Sequence, residues 1–293
     1  MGKESNRIVA AVGGEDSQAL LDFAIEHALV TESDLHLVHV MQSVPALSGA
    51  FEAAYEEAHK LGRQVLDRAY DVARDAMVGK ATVTAELVED SYDTVDSIVT
   101  RSEGVRLVVL QHRHLKGLQR FTSGSTTYGV VARAHSPVAS VPEGWKPAGR
   151  RHGRVTVGVQ DPERADDTLR QAFSLAAQRG DTLRIVHAWW LGNGYDAIFA
   201  EDVDFHQDRD FRTALAANLD TLEKAYPNVG VEVSIQHRQT DLALQDATAD
   251  SDLLVLGRRH HRFPLGTHLG SVTRFVLRSS DIPVVVVEPT RAD

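Results

Sequence analysis

Apolar positions along the chain follow two alternating spacings. Short apolar runs at Ile8–Val12, Leu35–Val40, Ala81–Val88, Leu107–Leu110 and Val138–Val141 predict strands. Between the second and third, residues Phe51, Ala54, Tyr55, Ala58, Leu61, Val65, Ala69 and Val72 recur at three- and four-residue steps, which predicts a long helix with one apolar stripe. The same series returns at Val155–Val159, Leu183–Ala188, Val231–Ile235, Leu253–Leu256 and Val284–Val287. Strands alternating with helices predict an α/β fold with parallel strands and right-handed crossovers. Leu253–Leu256 is apolar without alternation, so this strand belongs in the middle of a sheet. Val231–Ile235 alternates apolar with polar, which places it at a margin. The last strands, Val138–Val141 and Val284–Val287, would be aggregation-prone as open edges, and the expectation is that they cover each other across a pseudo-twofold axis.

The repetition is regular enough to date from a duplication. Leu107–Leu110 matches Leu253–Leu256, Gly124-Ser125 matches Gly270-Ser271, and Pro137-Val138 matches Pro283-Val284, each pair 146 residues apart. His39 and His187 match with a separation of 148. Two prolines and two glycines in the polar run Pro142–Arg151 read as a joint. The expected organisation is a first domain over residues 1–143, a linker over 144–152 and a second domain over 153–293.

Composition narrows the partners. The 293 residues are 43% hydrophobic and 25% charged, ample for globular cores. A formal net charge of -10 disfavours nucleic acid as a partner, because phosphate backbones require a basic surface. There is no cysteine, so disulfides, a thiol nucleophile and cysteine-ligated zinc are excluded. The start, Met1 to Arg7, is polar, and Ile8–Val12 is too short for a signal-peptide core. No membrane is expected as a partner, and the expected location is cytoplasmic.

A first strand ending near a glycine, the stretch Leu35-His36-Leu37-Val38-His39-Val40, an apolar fourth strand leading to a Gly-Ser helix start and a closing Pro-valine strand resemble the universal stress protein family, twice over. The resemblance implies two tandem five-stranded, Rossmann-like parallel sheets with helices on both faces and a role in stress tolerance. Many members bind ATP, at a loop of the form Gly-x2-Gly-x9-Gly-Ser/Thr. The second half reads Gly257-Arg258-Arg259-His260, nine residues, then Gly270-Ser271, so His260 stands where the second glycine falls. The first half reads Gln111-His112-Arg113-His114 before Gly124-Ser125 and lacks both early glycines. ATP binders also tend to carry an aspartate at the end of the first strand. Gly13 stands there in the first half, and Gln160 in the second with Asp161 one residue late.

The chemistry of such a loop stands apart from any likeness. Glycine lets backbone N–H groups approach an anion, and a helix start offers unpaired N–H groups with a partial positive charge. The residues expected to hold nucleotide in the second half are Gly257, Arg258, Arg259, His260, Gly270, Ser271, Val272 and Thr273, with Gln160 and Asp161 at the first strand. The plain alternative is that Gly270-Ser271 only caps a helix. Trp189-Trp190, followed by Gly192-Asn193-Gly194, could wall an adenine pocket or fill a core. His112, His114, His260, His261 and His268 match no metal-ligand spacing, so no metal is expected. Neither a nucleophile elbow, a His-Glu-x-x-His pair nor a P-loop occurs, and no catalytic residue is assigned. Three readings therefore stand: an ATP-binding regulatory protein, a dimerisation or interaction scaffold without nucleotide, and a slow ATP hydrolase. A further homodimer is an additional expectation.

Overall fold

The computed structural model describes residues 5–14, 16–41, 51–89, 93–112, 126–147, 152–190, 196–258 and 269–288, and side chains at 5, 51 and 196–207 are outside that description. Contacts divide the chain into two compact units, Met1–Pro147 and Ala148–Asp293.

Unit 1 runs β1 (Ser5–Ala11), α1 (Gln18–Val30), β2 (Asp34–Val40), α2 (Phe51–Met77), β3 (Val83–Val88), α3 (Thr94–Arg101), β4 (Val105–His112), α4 (Thr126–Arg133) and β5 (Val138–Pro142). All pairings are parallel, in the order β3-β2-β1-β4-β5. Unit 2 repeats the plan with β6 (Arg154–Gly158), α5 (Asp166–Arg179), β7 (Thr182–Trp189), α6 (Asp196–Ala225), β8 (Val231–His237), α7 (Thr240–Thr248), β9 (Leu253–Gly257), α8 (Ser271–Ser279) and β10 (Val284–Val287). A 3-10 turn over Pro162–Arg164 precedes α5. Its order is β8-β7-β6-β9-β10, again parallel. β9, the unalternating run, lies inside the sheet of its unit and is buried from Leu253 to Leu256, whereas β8, at the margin, has no fully buried residue and only Glu232 exposed. In each unit the order reverses beside the first strand, between β1 and β4 and between β6 and β9. That reversal opens a crevice at the carboxyl ends of the strands.

The long helix of unit 1 departs from its expected stripe. Its buried side is Gly62, Leu66, Ala69, Ala73 and Met77. Leu61 and Val72 are 51% and 42% exposed. Gly62, Ala69 and Ala73 let the helix lie close to the strands, with Leu66 and Met77 filling the space between them. No residue from 52 to 61 is buried.

One charged cluster fastens α3 to the margin of unit 1. Glu86 on β3 accepts from Arg101 Nε at 3.0 Å and from the Arg101 terminal nitrogen, and its other contact is His36 Nε2 at 3.2 Å. The Arg101 hydrogen bond and then His36 hold the Glu86 carboxyl at about 2, against a partial opposing effect of burial. A folded value below the unfolded one means stability that is present above about pH 4.5 and lost as pH falls toward 2. The side chain is 39% exposed, so solvent screening reduces what the pair contributes. Glu86→Gln is expected to destabilise unit 1 by about 1 kcal/mol at pH 7. Urea titrations at pH 7 and pH 3 check this: the gap between variant and parent should narrow at the lower pH.

Candidate functional site

The crevice of unit 2 is framed by the turn after β6, the end of β9 and the start of α8. Val159 leaves β6 with its N–H donated to the Val186 carbonyl at 2.9 Å. Gln160 and Asp161 follow, both exposed. The Asp161 carboxylate accepts from Glu163 N at 3.1 Å and lies 3.6 Å from Arg164 Nε. It therefore caps the 3-10 turn, which accounts for an aspartate at this place without a ligand.

Gly257 ends β9 opposite Val287. Its bare α-carbon is pressed against α5: a Cβ there would sit 2.7 Å from Thr168 Oγ1. Thr168 is itself buried, so the approach leaves no room for a side chain. The next residue, Arg258, donates its N–H to the Val287 carbonyl at 2.7 Å, and its guanidinium pairs with Glu288. These side chains are only 13% and 27% exposed, so the Arg258 charge is balanced within the protein and is not an unopposed cation for phosphate. The sequence alone gave no signal for this pairing, because Glu288 arrives from the far end of β10. Arg259 and His260 lie outside the described residues, as do His114, His261 and His268.

Helix α8 starts at Ser271, after Gly270 with φ -55 and ψ 154. Gly270 offers no side chain as a cap, and its carbonyl accepts from Arg274 N at 3.0 Å. The first-turn N–H groups of Ser271, Val272 and Thr273 have no acceptor within the helix. Ser271 is exposed, Val272 half-buried and Thr273 buried. The Arg274 side chain turns back to the Leu269 carbonyl at 3.0 Å. Gly257, Gly270 and Ser271 thus flank the same carboxyl-end crevice as Gln160 and Asp161.

Unit 1 treats the equivalent crevice differently. Gln111, in the place of Gly257, donates from Nε2 to the Asp16 carbonyl at 2.8 Å. That bond crosses from the end of β4 to the turn after β1. Thr127 Oγ1 donates to the Gln111 carbonyl at 3.2 Å, tying the first turn of α4 to the same residue. His112 is buried against Ser140, with Nδ1 2.9 Å from its Oγ. Gly124 and Ser125 lie outside the described residues.

The two tryptophans form a stack with His237 at the end of β8. Its ring lies 4.2 Å from Trp189 and 5.3 Å from Trp190, with interplanar angles of 16° and 28°. Trp189 is 9% exposed and Trp190 47%. One indole thus serves the core and the other faces outward. Among the described residues, no three His, Cys, Asp or Glu side chains are grouped to hold a metal ion, and no helix is long and apolar enough to cross a membrane.

Comparison with known proteins agrees with this architecture. Universal stress protein Rv1996 of Mycobacterium tuberculosis is 29% identical over 304 residues, covering 95% of this chain and 93% of its own. The crystal structure of a universal stress protein from Archaeoglobus fulgidus DSM 4304 superposes with a TM-score of 0.68 at 19% identity, covering 97% of this chain and 98% of its own. A second Archaeoglobus fulgidus universal stress protein, solved in complex with dAMP, covers 46% of this chain at 21% identity and a TM-score of 0.36. The profile of the Universal stress protein family matches twice, at residues 4–142 and 152–288, and the chain belongs to that family as a tandem member.

Proposed function

We propose that this chain is a stress-response regulatory protein that binds a nucleotide, with ATP the expected one, in the crevice of unit 2, and that it acts by binding and not by turnover. The observation that carries this reading is the contrast between equivalent residues. In unit 1 the Gln111 side chain crosses to the Asp16 carbonyl, whereas in unit 2 the same place is Gly257, with no side chain to cross. The start of α8, with Gly270 half-buried and Ser271 exposed, then offers N–H groups and a partial positive charge to a phosphate. Arg258 is already neutralised by Glu288, so the recognition rests on backbone donors and the Ser271 hydroxyl.

Gly270→Val tests this cleanly. The backbone there, φ -55 and ψ 154, is a conformation any L residue adopts, so a valine side chain at the helix start does not strain the backbone torsions. Titration calorimetry of the full chain with ATP should give one site, lost in Gly270→Val, with no ADP formed over hours. A hydrogen bond to a charged phosphate contributes roughly 1.5–3 kcal/mol, so losing one or two weakens binding about tenfold to a thousandfold or more. If the parent chain takes up no ATP at millimolar concentration and releases no nucleotide on denaturation, the scaffold reading replaces this one.

A further inference from the structure

A histidine is fixed at the same place in both units. His39 on β2 has Nδ1 2.9 Å from the Val12 carbonyl, and His187 on β7 has Nδ1 2.9 Å from the Val159 carbonyl. A carbonyl only accepts, so Nδ1 carries the proton and, in the neutral ring, Nε2 holds a lone pair. The carbonyls belong to the residues just beyond β1 and β6, where each crevice begins. Above the two rings the units differ. His39 is half-buried under α2, where Gly62 makes room: a Cβ there would lie 3.1 Å from the His39 ring. His187 is only 6% exposed, and Phe211 of α6 stacks on it at 3.9 Å and 19°. Its Nε2 is sealed from water and meets no hydrogen-bond partner among the described residues. Two turns further along α6, Asn218 donates to the Pro162 carbonyl at 2.7 Å. The turn over residues 159–165 is therefore tied to α6 twice, once through His187 and Phe211 and once through Asn218.

We infer that His187 is a proton-operated latch, fastening the turn after β6 to α6 when neutral and loosening it when protonated. A second proton goes to Nε2, and it brings an N–H and a positive charge into a space where, among the described residues, there is no acceptor and no access for water. The Phe211 ring partly offsets this through its π face but leaves the N–H unsatisfied. Among the described residues, neighbouring charges do not compensate. On α6, Asp208 and Arg212 are paired with each other, and on α5 so are Asp166 and Arg170; Asp208 is half-buried and the other three are exposed. On β8, His237 faces the same side of the sheet and stacks on Trp189, and on β6 the facing residues are Val157 and Val159. Asn218 does not titrate, so protonation releases one tie and leaves the other.

The direction of the His187 equilibrium agrees: burial lowers its proton affinity, and the Val159 bond only partly opposes that. A closed form that binds the proton more weakly than the opened form is favoured above about pH 6.5 and weakens as pH falls below it. The inference stands whether or not the crevice holds a nucleotide.

Hydrogen exchange of the full chain, corrected for intrinsic rates, reads the latch between pH 7.5 and 5.5. Protection at residues 208–215 and 159–165 should fall below pH 6.5 by up to about tenfold per pH unit, the limit for one coupled proton. Residues around Gly62 in α2 should change less, because His39 is less buried. His187→Asn keeps a donor near the Nδ1 position without a titrating ring, and it should retain protection at pH 7.5 while losing the pH dependence. A pH-independent parent, or an Asn variant with the parent's dependence, overturns the inference. Nuclear magnetic resonance of the parent chain gives a reading that needs no variant. An imidazole protonated at Nδ1 and titrating below 6.5 supports the latch, and one protonated at Nε2 or titrating at or above 6.5 overturns it.

Discussion

Gly257→Gln, which installs in unit 2 the residue that unit 1 carries at the equivalent place, is expected to lower ATP affinity by about a hundredfold or more. Two effects combine. The new side chain would reach across the crevice as Gln111 does toward Asp16. Its Cβ would also meet Thr168 Oγ1 at 2.7 Å, forcing β9 and α5 apart. Overpacking of this kind costs roughly 1–3 kcal/mol of stability, so affinity and folding must be separated. Gly257→Ala does so, because it adds the clash without the reach. Pairing each substitution with Thr168→Ala then relieves the clash alone. Calorimetry should find binding restored in the Ala/Ala double variant and still lost in the Gln/Ala one. Equal ATP affinity in the Gln variant and the parent would show that nucleotide does not lie across this residue.

Phe23→Ala carries the largest expected loss of stability, about 3–5 kcal/mol. Phe23 is 2% exposed in α1, stacked on His27 at 5.9 Å and edge-on to Trp145 at 5.7 Å and 76°. Trp145 is the sole tryptophan of unit 1, so its emission follows that unit once Trp189 and Trp190 are replaced by phenylalanine. Urea titration in that background should shift to a much lower midpoint. A change under about 1 kcal/mol would mean that the surroundings collapse into the space, at the low end of what core truncations show.

The strands were legible in the sequence because burial on both faces imposes an unbroken apolar run, as in Leu253–Leu256, whereas a strand at the margin tolerates polar residues between apolar ones, as in Val231–Ile235, where no residue is fully buried. The phase of α2 was not. Hydrophobicity draws attention to Leu61 and Val72, but of the expected stripe only Ala69 is buried, and Gly62, Leu66, Ala73 and Met77 complete the contact. At the crevice, spacing identified Gly257 and the α8 start. It could not identify Thr168 as the reason a glycine is needed, or Glu288 as the counter-ion of Arg258, since both arrive from other elements. His39 and His187 were visible as a repeated pair. What they touch depends on Gly62 in one unit and Phe211 in the other, and nothing in their own neighbourhood in sequence announces that difference.

Trp145 lies in a stretch whose prolines and glycines read as a joint, yet its ring packs on Phe23 and its backbone N–H donates to the Pro142 carbonyl at 3.0 Å. The residue that finishes the first core is therefore encoded after its last strand. A recombination event that moved this half between genes with a breakpoint at the strand end would deliver a module missing its closing aromatic. The heritable unit extends at least to Trp145, and the freedom of the connecting segment to drift begins only beyond it.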